Sequence, residues 1–356
     1  MPIPVSRTRT STNAPSAPSF DFGDSSTGVG STSTEPAQIA NQDVVVSCGI
    51  GIAISPDDGD NAATLMMNAD AAMYRAKGNG RNTFQFYDQS MNATARHALN
   101  VENALRHAIE RNELELHYQP IVDTASNAMV GVEALLRWRN LAHGWVSPPQ
   151  VLEIARQAQL IIPIEDWVIR TACRAAAAWR DAGGKRLPVS INLSGTYLRR
   201  AELVPTFEGI LDEFQLDPGL IEIEVAAATF NDNIELTVNL IRQLCDIGVS
   251  FAVDDFGAGY APLLKLRHLP IRALKIDHAV VKHLTNDSGE KALCGAVIAL
   301  AHGLQCMAVA KGVSAVPQLI RLRELGCDRY QGDLFCPPVT AEQISRLLKE
   351  NLIVDA

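Results

Sequence analysis

The chain has 356 residues, enough for one large domain and a smaller piece, and 47% of them are hydrophobic. Its mean hydropathy of +0.03 suits a soluble globular protein with a sizeable core. A net charge of −9 and a pI near 5.4 exclude general binding to nucleic acid or anionic membrane, which needs a basic field, so a phosphate ligand must be held by a few local cations.

Seven cysteines, an odd number with no C-x-x-C pair, point to reduced thiols and a cytoplasmic location. No apolar run approaches the roughly 18 residues of a membrane-spanning helix, and the N-terminus has no signal-peptide core.

Residues 1–42 are expected to be a disordered tail. The first 40 hold 14 Ser or Thr, five Pro and three Gly, too few large apolar groups to offset the entropy of ordering. From Asp43 the texture changes. Residues 44–54 read as strand, Ser55-Pro56-Asp57-Asp58-Gly59 as a turn, 61–77 as a helix closed by Gly78-Asn79-Gly80, and 81–87 as a final strand. This segment, 43–88, resembles the last third of a GGDEF (diguanylate cyclase) domain, most clearly at Ala69-Asp70-Ala71-Ala72-Met73-Tyr74-Arg75-Ala76-Lys77. The phosphate-binding turn and metal acids that define that family are missing, which excludes cyclase activity and leaves a truncated remnant without its neighbouring strands.

Residues 89–111 read as a linker helix with apolar positions at Leu99, Val101, Leu105 and Ile109. Residues 112–352 then alternate. Strands are expected over 114–122, 131–138, 187–193, 220–225, 249–254, 272–276, 305–310 and 327–330. Helices are expected over 148–158, 165–182, 201–214, 233–247, 289–303 and 315–325. Such alternation predicts an α/β fold, a (β/α)₈ TIM-like barrel.

Chemistry in such barrels sits where the strands end and their loops converge. The strand ends present Glu133, Asn192, Asp254 with Asp255, Lys275 with Asp277, and Gln331. Each is weak alone: an isolated strand Glu is more often an internal ion pair, and a lone Asn more often a helix cap. Taken together, Gly131-Val132-Glu133-Ala134-Leu135-Leu136-Arg137-Trp138, Ser190-Ile191-Asn192-Leu193-Ser194, Asp254-Asp255-Phe256-Gly257-Ala258-Gly259-Tyr260 and Lys275-Ile276-Asp277 resemble the EAL family. Active members of that family hydrolyse the bacterial messenger cyclic di-GMP.

The resemblance implies a barrel with one antiparallel strand and a two-metal hydrolysis using Mg or Mn. It assigns nucleotide contacts to Gln119, Glu133, Leu135, Arg137, Asn192, Asp254, Lys275 and Gln331, and vestigial metal ligands to Glu133, Asn192, Asp254 and Asp255. It places a homodimer contact in the 255–263 loop, where Ala261-Pro262 departs from the usual Ser-Ser.

Three positions depart from the family pattern. Ala227 stands where a strand-end Glu is a metal ligand, and Lys311-Gly312-Val313-Ser314 replaces a Glu-Gly-Val-Glu segment whose first Glu is the general base. In addition, Gln331-Gly332-Asp333 replaces Gln-Gly-Tyr. An ammonium about 5 Å from a divalent ion at an effective dielectric of ~20 costs roughly 6–7 kcal/mol. Loss of a general base removes about 10²–10⁴ of rate.

These departures predict a degenerate domain that is not an enzyme, has no cofactor, and acts as a cyclic di-GMP sensor or protein-docking module. The alternatives are a residual phosphodiesterase or a nucleotide-blind scaffold. Lys311 is expected among Glu133, Asn192, Asp254 and Asp255, in the place of a missing ion; otherwise it faces solvent. The sequence names no protein partner.

Overall fold

The computed structural model describes residues 37–39, 42–44, 49–78, 83–140, 144–182, 186–231, 234–257, 266, 269–285 and 288–350. Most of the expected tail, and the loop expected to carry a dimer contact from residue 258 onward, lie outside them. The chain divides into two compact units, Met1–Asn100 and Val101–Ala356.

In the first unit, β1 (Ala37–Ile39) pairs antiparallel with β2 (Gln42–Val44). Next, β3 (Gly49–Ile52) and β4 (Thr83–Phe86) pair in parallel, joined by α1 (Ala62–Gly78) as a crossover. α1 lies directly on β3 because Gly51 has no Cβ: one built there would stand 1.9 Å from the Ala69 carbonyl oxygen. The apolar side of this unit is small, with Ala71, Ala72 and Met91 packing together under Tyr87. Met91 belongs to α2 (Gln89–Arg106), which ends earlier than the expected 111, the chain passing through turns to a left-handed Asn112 (φ 54°).

The second unit is the expected barrel. Its strands are β5 (Leu114–Asp123), β6 (Met129–Asn140), β8 (Val189–Asn192), β9 (Ile221–Ala226), β10 (Ser250–Phe256), β11 (Ala273–Ile276), β12 (Met307–Lys311) and β13 (Arg329–Gln331). A short β7 (Gly144–Val146), not legible beforehand, extends β6 at its edge. The barrel neighbours β6, β8, β9, β10, β11, β12 and β13 run parallel in turn, whereas β5 is antiparallel to both β6 and β13 and closes the ring.

The outer layer is α3 (Pro148–Gln157), α4 (Ile161–Asp181), α5 (Gly195–Leu198), α6 (Leu203–Glu213), α7 (Ile234–Asp246), α8 (His278–Lys282), α9 (Ser288–Gly303), α10 (Val316–Glu324) and α11 (Ala341–Glu350). Strands buried on both faces explain the near-continuous apolar runs in the sequence. On β9, Ile221, Ile223 and Val225 join the core under the helices, while the alternate positions Glu222, Glu224 and Ala226 turn to the barrel interior.

β13 ends in a close backbone approach. A Cβ at Gly332 would lie 2.1 Å from the Val313 carbonyl oxygen and 2.4 Å from its nitrogen. Only glycine fits there, and the contact fixes where Gln331 points. Gly332→Ala is expected to destabilise the barrel by about 2–3 kcal/mol and lower the melting temperature by several degrees. Gly209→Ala, in α6 with open space around it, should instead raise stability by up to about 1 kcal/mol. Thermal unfolding of both variants checks the contrast, and equal melting temperatures would contradict it.

Candidate functional site

Strand register brings the interior polar side chains to one level of the barrel. Glu133 lies opposite Gln119 on β5, Asn192 opposite Glu224 on β9, and Lys311 opposite Gln331 on β13. The Lys275 ammonium on β11 is fully buried and donates to Glu133 Oε2 at 2.6 Å and to both Glu224 carboxylate oxygens at 2.6 Å. Glu133 also accepts from Asn192 Nδ2 at 2.7 Å on its other oxygen, and from Gln331 Nε2 at 2.8 Å. Gln331 bridges onward to Gln119 Oε1 at 3.0 Å, and Gln119 Nε2 donates to Asp333 Oδ1 at 3.2 Å. Thus Gln119, Glu133, Asn192, Lys275 and Gln331 form one hydrogen-bonded array.

A second ion pair lies nearer the opening. Lys311 Nζ donates to Asp254 Oδ1 and Oδ2, both at 2.7 Å, and to Asp255 Oδ1 at 3.0 Å. Consecutive strand residues ordinarily face opposite sides, so two adjacent acids on one ammonium need a distortion. β10 supplies it: its register against β11 shifts between Val253 and Phe256, and Asp255 adopts a left-handed backbone (φ 53°). Asp254 stays buried while Asp255 is half exposed.

The three departing positions are dispersed. Only Lys311 joins the acids. The Ala227 methyl is part of the hydrophobic core, and Ser314 is exposed at the start of α10, its N–H donating to Gln318 Oε1 at 2.8 Å. Asp277 caps α8 by accepting from the Ala279 N–H at 2.7 Å.

Charge is divided unevenly over the cluster. Burial alone would raise the Glu133 carboxyl, but the Lys275 and Lys311 ammoniums with the bonds from Lys275 and Asn192 bring it down to about 2. Glu224, deeply buried and facing the Glu133 charge, is raised well above the ordinary range despite Lys275. Burial also raises Asp254, against the pull of Lys275 and Lys311. Both lysines are desolvated, yet the surrounding acids hold each of them above its ordinary value, so they remain charged.

Outside this array a cavity of about 430 Å³ is lined by Leu135, Arg137, Asn192, Glu224, Asp254 and Asp255, among others. The Arg137 guanidinium is half-buried, and one of its nitrogens donates to the Leu136 carbonyl at 2.9 Å. Desolvation lowers its pKa, with the Glu133 charge opposing, so an anion arriving in the cavity would stabilise its charge. Arg156 adds a second cation to the wall.

Glu165, also in the wall, accepts from the Ser194 N–H at 2.7 Å and from its hydroxyl at 2.9 Å, fixing the turn after Asn192. Burial raises Glu165 to about 7, the Ser194 bonds only partly opposing.

Two divalent ions, as the resemblance implies, would need carboxylate oxygens open to them at about 2.0–2.2 Å. Here both oxygens of Glu133, Glu224 and Asp254 accept N–H bonds from lysine or amide groups. Among the described residues no group of three or more His, Cys, Asp or Glu side chains is placed to hold a metal ion. The residues as arranged do not fit the pair of ions.

From the sequence alone Glu224 was not singled out as a site residue. The signal was available: Glu224 sits two residues from Glu222 on an interior face, in a barrel with a strand-borne lysine. Glu165, an acid in the first turns of α4, gave no such signal.

Two outcomes test this geometry. Lys275→Met leaves two buried carboxylates without their cation and should cost about 3–5 kcal/mol, part of which Lys275→Met/Glu224→Gln should recover; chemical denaturation measures both. For Glu165 the folded pKa lies above the unfolded one, so its protonation stabilises the fold. That contribution is complete below the ordinary value of 4.5 and is lost as pH rises through about 7. Relative to Glu165→Gln, the wild type should lose about 3 kcal/mol across that window. Parallel pH profiles of stability would refute the assignment.

The EAL domain family model matches residues 102–338, more than half of the chain, and the diguanylate cyclase GGDEF domain model matches residues 29–83. The bifunctional diguanylate cyclase/cyclic di-GMP phosphodiesterase MucR of Pseudomonas aeruginosa is 40% identical over 311 residues, covering 87% of this chain and 45% of MucR. The cyclic di-GMP phosphodiesterase NbdA of the same organism is 35% identical over 315 residues, covering 88% of this chain and 40% of NbdA. The chain therefore spans less than half the length of these curated relatives. The solved structure of the P. aeruginosa MucR phosphodiesterase in complex with cyclic di-GMP superposes with a TM-score of 0.67 at 38% identity, covering 69% of this chain and 99% of that one.

These relatives overturn the expectation that the chain is not an enzyme, since proteins named as phosphodiesterases match it along most of its length. The expectation rested on three substitutions, of which Ala227 lies in the core and Ser314 gives its N–H to Gln318. With the EAL model matched over residues 102–338, on a closed barrel of the same architecture, the chain belongs to the EAL domain family.

Proposed function

We propose that this chain binds cyclic di-GMP at the open end of its barrel and slowly hydrolyses one of the two phosphodiester bonds. The observation that carries the reading is the cavity of about 430 Å³, lined by Arg137 and Arg156 together with Asn192, Glu224, Asp254 and Asp255. In a chain of net charge −9, these arginines are the local cations that a dianionic ligand requires. The phosphodiesterase names of the relatives, and the cyclic di-GMP complex of a 38% identical structure, support both the ligand and the reaction.

In this reading Arg137 grips the phosphate through its planar fork and stabilises the charge that grows on the phosphoryl oxygens during attack. Asn192, held on Glu133, orients the ester. A water oxygen forms the new bond to phosphorus, the ribose oxygen leaves with a proton from solvent, and the half-exposed Asp255 accepts the water's proton. Asp255 already accepts a hydrogen bond from Lys311, which it must give up to reach the water, and this makes the turnover slow. A cytoplasmic setting fits the reduced-thiol reading of the cysteines. Among the described residues no helix is long and apolar enough to cross a membrane.

Calorimetry and chromatographic detection of the linear dinucleotide test binding and turnover separately. Arg137→Ala should weaken binding by about 10- to 100-fold, the equivalent of roughly 1.5–3 kcal/mol for a charged hydrogen bond. Asp255→Asn should abolish product with binding retained. Binding with no product above buffer background would refute hydrolysis, and no binding at all would refute the whole reading.

A further inference from the structure

We propose that the Lys311 ammonium is a built-in cation that closes the Asp254–Asp255 pair to divalent ions. An ammonium has three N–H donors, and Lys311 directs contacts to three oxygens, at 2.7, 2.7 and 3.0 Å. A lysine that merely pointed outward would keep its head in water, yet this side chain is only 20% exposed. It arises on β12 and reaches across β11 to acids on β10, a path fixed by the sheet order.

The adjacent cation, Lys275, hydrogen-bonds Glu133 and Glu224 below and acts on Asp254 only through its field. Lys311 is therefore the ammonium in contact with both acids, and it is covalently part of the chain. A divalent ion could ligate Asp254 only by expelling that ammonium, or by sitting beside it against like charge. An anionic ligand gains from the same arrangement, because the charge of the acids it approaches is already partly offset. Binding of cyclic di-GMP should then need no metal, a corollary that rests on the proposed function.

Manganese alone decides the inference without nucleotide. The full chain is titrated with Mn²⁺, and free ion is read by its electron paramagnetic resonance signal. Wild type should leave the free-ion signal close to that in buffer, whereas Lys311→Ala and Lys311→Gln should bind Mn²⁺ at least about tenfold tighter, the acids having lost their cation. Melting temperatures establish that each variant is folded, the glutamine variant keeping length and a donor. Wild-type affinity equal to that of the variants would overturn the proposal.

In a second arm, calorimetric titration with cyclic di-GMP in EDTA and in Mg²⁺ should give wild-type dissociation constants within about twofold. A wild type that requires Mg²⁺ would also overturn the proposal. Absence of nucleotide binding in both buffers would sink the functional reading instead, the manganese result still deciding the role of Lys311.

Discussion

The buried ammonium of Lys275 is the constraint on which the barrel depends. A charge removed from water this completely survives only with partners of excellent geometry, and here they come from β6 and β9, across the barrel from β11. Because Glu133 must reach that ammonium, its remaining acceptors become available to Asn192 and Gln331, and Gln331 in turn holds Gln119. One cation thus sets the orientation of side chains on β5, β6, β8, β9 and β13. The polar interior is both what fills the barrel and what its chemistry is made from.

The two lysines share a chemical type and differ in setting. Lys275 lies between two carboxyls whose proton affinities are driven apart, Glu133 downward and Glu224 upward, as is usual when two acids share one cation in a dry site. Lys311 lies higher, on β12, and faces the bulged β10, whose left-handed Asp255 turns a second acid toward it. The inner pair meets the cavity only through Glu224, while the outer pair meets it through both of its acids. Any ligand entering the barrel meets the outer pair first.

Much of this was legible in the sequence, for physical reasons. Strands buried on both faces give long apolar runs, and a single Glu or Lys interrupting such a run has few roles open to it, so Glu133 and Lys275 stood out. Helix 316–324 and strand 307–311 fell close to their expected bounds because Pro317 and Gly312 punctuate them. What could not be read was tertiary. Nothing local to Ser314 shows that its amide is taken up by Gln318, or that Ala227 packs into the core. The expectation of an inactive domain weighed single positions, and it is the relatives named as phosphodiesterases that overturn it. Likewise, the pairing of Asp255 with Lys311 needs a bulge that alternation patterns do not reveal.

The antiparallel closing strand has a consequence for how the molecule is made. β5 is the first barrel strand in the chain and β13 the last, and the seam between them joins residues such as Gln119 and Gln331, 212 positions apart. No part of that seam can form until nearly the whole domain has left the ribosome. Until then β5 and the growing end of the sheet present unpaired edges, the state in which nascent chains are most prone to join one another. Contacts of such long range also slow folding, since loop closure must precede any reward. The glutamine pair at the ligand end is therefore among the last parts of the barrel to assemble, and a chain cut short before β13 would lack both the seam and the site.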